Sequence, residues 1–224
     1  MSEQPQLALN VVHSGAAATA RLADFGLLPE HFVNAQQHGH TRRLECTATH
    51  PKTFPGQVMW AETVAALRQQ LLETGDGWEI GRTRNYETVF RTDRRIAIAV
   101  VGGDAATGVD GPEQPKAARR RGPVTWERIA YNNQLELPIT LPTPRVAVDA
   151  AGDDEGCNTW FFLLNARGDQ LYSELSMADG LGIDRRSVTW LERILLPGIP
   201  VVGAVTPVES DSDDEAAALH VDRR

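Results

Sequence analysis

The chain has 224 residues and a formal net charge of −8, with 42% hydrophobic and 23% charged residues. Those values suit an ordinary globular chain with one well-buried core, and argue against a disordered or membrane-embedded one. No apolar run approaches the ~18–20 residues that span a bilayer. Residues 1–9 lack the basic start and apolar stretch of a secretory signal. Cys46 and Cys157 are the only cysteines, so no disulfide framework is implied and a cytoplasmic, reducing location is expected.

Residues 1–20 are rich in Ala, Gln and Ser without clear periodicity, and read as a loosely ordered arm that adds at most one edge strand. Residues 22–33 have a short helical pattern interrupted by Pro29. Residues 35–57 hold His38, His40, Cys46 and His50 and few aliphatic residues, and read as a loop. A helix is predicted over 58–74, where Trp60, Val64, Leu67 and Leu71 recur at spacings of three and four before Gly75 and Gly77 stop it.

The period then changes. Residues 79–91 and 95–101 read as an extended pair around a turn at Thr92, Asp93 and Arg94, and the second run is apolar on both faces, as a central strand would be. Residues 102–123, rich in Gly, Pro and Arg, have to form a long loop, a kind that is usually functional or disordered. A helix follows over 124–137, then a short strand at 145–149, an acidic turn at 152–156, and strands at 158–165 and 170–178. Residues 185–196 read as a strand on the strength of Val188, Thr189, Trp190 and Ile194. The five Trp residues fall in these regular segments and are assigned to the core.

Charge is unevenly placed. Residues 206–224 carry six acids against two Arg, a net −4, and read as a disordered tail. The body carries the other −4 over a far greater length. That balance argues against a nucleic-acid binder that uses its whole surface, and leaves room for a local basic strip. The fold expected is α+β: a mostly antiparallel, curved sheet packed by two main helices in one domain over 1–205, followed by the acidic tail.

Three stretches, 96–108 (IAIAVVGGDAATG), 158–179 (NTWFFLLNARGDQLYSELSMAD) and 189–197 (TWLERILLP), resemble a set of uncharacterised bacterial proteins found on phages and mobile elements. The resemblance spans about residues 45–200. It implies a mobile-element or defence-related setting and carries no catalytic residues with it.

Four groups are candidates for chemistry. His31, His38, His40, Cys46 and His50 are zinc-type ligands, but their spacing fits no finger or ribbon, so a plain polar loop without metal is the simpler reading. Gly102, Gly103, Asp104 and Gly108 follow the strongest strand, where backbone amides can approach a phosphate; a tight turn needs the same glycines. Lys116, Arg119, Arg120 and Arg121 form the most basic stretch, suited to a phosphate or an acidic partner.

The fourth group is the carboxylates. Asp104, Asp149 and Glu174 are the catalytic candidates for a metal-dependent nuclease or phosphohydrolase. The chain has only Lys52 and Lys116, and neither stands in a Glu-x-Lys arrangement. Asp153, Asp154 and Glu155 read as an exposed turn. No serine-hydrolase elbow, zinc-protease helix, kinase set or Cys-x-x-Cys is present, and nothing identifies a cofactor.

These observations favour a non-enzymatic interaction module of a larger intracellular assembly, with another protein subunit as partner and no membrane. A metal-dependent hydrolase is the alternative. A nucleic-acid accessory acting through the 116–121 loop is the third reading.

Overall fold

The computed structural model describes residues 10–132, 154 and 156–201. In chain order these form β1 (Val11–His13), α1 (Gly15–Ala23), α2 (Pro29–Leu44), α3 (Phe54–Glu73), β2 (Glu79–Gly81), β3 (Thr88–Arg91), β4 (Ile96–Gly102), α4 (Pro123–Asn132), β5 (Asn158–Arg167), β6 (Gln170–Leu181), β7 (Val188–Leu195) and β8 (Ile199–Pro200). The strands make one sheet in the order β1-β7-β6-β5-β4-β3-β2, with β8 also paired to β6. Pairs β1/β7 and β4/β5 are parallel and the others antiparallel. The class is α+β. Among the described residues no helix is long and apolar enough to cross a membrane.

Strand alternation sorts the core into two layers. Ile96, Ile98 and Val100 of β4, with Trp160, Phe162 and Leu164 of β5, face α1, α2 and α3. Ala99 and Val101, with Phe161 and Leu163, face Ile129 of α4 and Ala117 of the long connection. Both central strands are therefore covered on both sides, which explains their unbroken apolar runs. The two helices expected to pack the sheet, α3 and α4, lie on its opposite faces, and α1 and α2 join α3.

The sequence reading fails at α2, part of the expected 35–57 loop, and at α1, part of the expected loose arm. The buried face of α2 is Phe32, Ala35, Gln36, Gly39 and His40, an i, i+3, i+4, i+7, i+8 stripe. It has the helical period, but beyond Phe32 it is made of small and polar residues, so hydropathy does not reveal it. Those residues let α2 sit close to α3: a Cβ at Gly39 would overlap the Thr63 hydroxyl and the Met59 carbonyl. Phe32 meets Phe162 edge-on at 5.0 Å. Pro29 opens this helix rather than interrupting one. Residues 133–137 of the expected helix, the expected strand at 145–149 and the acidic tail lie outside the described residues.

Candidate binding surface

The 102–123 connection leaves the C-terminal end of β4 and divides into two parts. In the first, Gly103 N donates to Leu164 O (2.8 Å), Asp104 N to Lys116 O (3.1 Å) and Thr107 N to Asp104 O (3.1 Å). The Asp104 carboxylate accepts Ala106 N (3.1 Å), and Gly108 N donates to Glu174 Oε2 (2.7 Å). Every one of these amides already has a protein acceptor, so the glycine segment is a closed turn rather than a phosphate cradle.

Glu174 is fully buried beside the equally buried Arg193. The guanidinium donates to both carboxylate oxygens (3.0 and 2.6 Å), and Ser176 adds a third bond at 2.8 Å. Arg193 also reaches Val109 O (3.1 Å). The pair clamps residues 108–109 onto β6 and β7. Asp104 and Glu174 are thus each committed to holding the chain, and the third catalytic candidate, Asp149, lies outside the described residues.

The second part runs beside the turn between β6 and β7. Ala117 N donates to Arg186 O (3.0 Å), Arg121 N to Arg185 O (2.9 Å), and Trp190 Nε1 to Pro115 O (3.0 Å). Two register shifts beside Ala178 interrupt the β6/β7 ladder just before that turn; such bulges bend a strand. The result joins Arg185 and Arg186 to Lys116, Arg119, Arg120 and Arg121. Lys116, Arg119, Arg120, Arg185 and Arg186 are exposed.

Elsewhere carboxylates take Arg21, Arg42, Arg68, Arg84, Arg91, Arg128 and Arg193 into ion pairs. Among the described residues none of the six clustered cations has such a partner. Arg121 is half-buried, its Nε is buried without an acceptor, and burial pushes its guanidinium below its ordinary range. The turn's one carboxylate, Asp184, accepts the Ser187 hydroxyl (2.7 Å) and the amides of Ser187 and Arg186 (2.9 and 3.0 Å). Those bonds, the hydroxyl's first, pull it down to about 2.

Between this turn and the N-terminus of α4 lies a groove of about 370 Å³, walled by Arg121, Trp126, Leu181, Ile183 and Arg185, and by Glu127, whose carboxylate is paired with Arg84. Trp126 is 52% exposed and Ile183 wholly so. Assigning all five Trp to the core fails at Trp126 and at Trp60, which is 42% exposed, whereas Trp78, Trp160 and Trp190 are buried.

A second cavity, of about 430 Å³, opens on the other side of α4 and includes Arg128, Tyr131, Asp154 and Cys157 in its wall. Asp154 is buried rather than part of an exposed turn: it accepts bonds from Thr88 Oγ1 and Arg128 Nη2, both at 2.7 Å. Arg128 lies 4.8 Å over the Tyr86 ring. Burial pushes the Tyr86 hydroxyl up, against a bond to Thr125.

The His and Cys candidates are not gathered. His38 pairs with Glu62 (3.1 Å), His40 is buried in α2, where burial pushes its imidazole below the ordinary range, and the His50 ring stacks on Phe54 at 4.9 Å. Among the described residues no group of three or more His, Cys, Asp or Glu is placed to hold a metal ion. No family model, curated protein or solved structure matches the chain.

Sequence reasoning missed Arg185, Arg186, Trp126 and Ile183 as surface residues. The signal was present as an Arg pair and a lone Ile in a polar turn, Gly182 to Ser187. Its meaning depended on which other segment that turn touches.

Proposed function

We propose that the protein is a non-enzymatic binding module of a larger intracellular assembly, docking an anionic partner in the groove beside α4. The observation that supports this reading is the convergence of six cations from two distant segments, none in an ion pair among the described residues. Charges brought together in this way repel one another at a cost to the fold, and a bound anion relieves it. The mobile-element or defence-related setting implied by the sequence resemblance, and the cytoplasmic location expected from the two cysteines, complete the proposal.

The test is a titration with two labelled polyanions, an oligoglutamate and an oligonucleotide, at about 50 mM and about 200 mM salt. The native protein is expected to hold at least one of them, less tightly at the higher salt. An Arg119→Glu/Arg120→Glu/Arg185→Glu variant is expected to lose that binding while melting at the native temperature. A native protein that holds neither at low salt overturns the reading.

A further inference from the structure

We propose that the partner is single-stranded nucleic acid, with one base stacked on Trp126 and its neighbouring phosphates held by Arg121, Arg185, Arg119 and Arg120. The inference rests on the binding-module reading and gives the groove a particular ligand. Cations alone do not choose between an acidic peptide and a nucleic acid; the apolar part of the groove does. Trp126 stands half exposed on the first turn of α4, and Ile183 projects fully into solvent from the opposite wall, with Arg121 and Arg185 lining the same groove. Aspartate and glutamate side chains make no use of a flat indole. A nucleotide brings a planar base and an anion a short distance apart, the pairing that single-strand binders meet with an aromatic platform in a cationic channel.

The start of α4 supplies a further reason. It begins at Pro123, directly after Arg121 and Gly122, and has no acid in its first turn. First-turn amides lack intrahelical acceptors and carry the positive end of the helix dipole, so a phosphate is stabilised there. Arg121 lies beside that helix start with its Nε unpartnered. Asp184 adds one negative charge beside Lys116, but its hydrogen-bonding oxygens are turned to Ser187 and to two backbone amides, and it forms no ion pair with the arginines among the described residues. A duplex fits poorly, since its bases are stacked inside and reach Trp126 only if flipped out, at a cost of a few kcal/mol. The chain's net −8 opposes any polyanion at long range, so attraction depends on this local patch and falls steeply with salt.

The experiment follows the fluorescence anisotropy of a labelled oligothymidylate of about 12 nucleotides, against a duplex of the same length and an oligoglutamate of matching charge, over a salt series with the full chain. The single strand is expected to bind tightest. Trp126→Ala should weaken it about 10- to 100-fold, as for one lost stacking contact, with the salt slope unchanged and with Trp126→Phe restoring much of the affinity. Arg119→Ala/Arg120→Ala/Arg185→Ala should instead flatten the slope by about two units, at roughly 0.7 per phosphate contact on single strands. If the oligoglutamate or the duplex binds as well as the single strand, or if Trp126→Ala changes nothing, this inference is wrong and the binding-module reading stands. If none of the three probes binds, both fall.

Discussion

Residues 103–109 and 116–121 belong to one connection, yet their charged groups have opposite fates. Beside the first part, Glu174 and Arg193 are fully buried, doubly bonded to one another and fastened to Gly108 and Val109. Beside the second, six cations gather, two of them (Arg121 and Arg185) in the wall of a groove, and none is in an ion pair among the described residues. A buried charge must be matched inside the protein because leaving it bare is costly. An exposed one is solvated, so its arrangement is free to answer to something outside. Charge that serves the fold and charge that serves a partner are therefore told apart by where their counter-ions sit.

The comparison breaks most easily at the clamp. Glu174→Gln leaves Arg193 buried without its anion and is expected to cost about 3–5 kcal/mol in urea unfolding. The double variant Glu174→Gln/Arg193→Met should recover much of that loss, because no bare charge remains. A Glu174→Gln protein as stable as the native one would show that the pair does not hold the loop.

A smaller effect is expected at Gly103, where an added Cβ would overlap the Thr107 hydroxyl. Gly103→Ala should cost about 1–3 kcal/mol, as overpacking does. Thr107→Ala in the same chain should restore part of it, and full additivity of the two changes would disprove that contact.

On the cationic side, Arg119→Ala/Arg120→Ala should move stability by no more than about 0.5 kcal/mol in either direction. A clear loss in thermal melting would mean that these side chains serve the fold after all.

The smallest expected effect concerns Asp184. Its carboxyl is pulled from an ordinary 3.8 down to about 2 by Ser187 and the turn amides, so the folded state binds this proton less readily than the unfolded chain. Its contribution to stability is complete above about pH 4 and is lost as pH falls through about 2. The carboxyl resonance of Asp184 should titrate with a midpoint near 2, and the turn between β6 and β7 should loosen over that window. In Asp184→Asn that acid step should vanish. A midpoint near 4 would show that the turn does not grip this side chain.

The sequence by itself determined what depends on local period and on composition. The unbroken apolar run of β4 required a strand covered on both faces, and that of β5 required a strand. Val64, Leu67 and Leu71 required the buried face of α3, and the Gly, Pro and Arg content of 102–123 required a long connection. It did not reveal α2, whose buried stripe of Phe32, Ala35, Gln36, Gly39 and His40 is helical in spacing but has only one large apolar residue. Close packing on Thr63 and Met59 buries such a stripe, and that packing exists only once α3 is in place. The candidate site divides in the same way. Lys116 to Arg121 stood out as four cations in six residues, because adjacency is a property of the chain. That Arg185 and Arg186 complete the patch, that Trp126 faces the solvent, and that Glu174 is spent on Arg193 were decided only by the tertiary structure. Each depends on which distant strand or turn lies alongside, a through-space relation that no local pattern encodes.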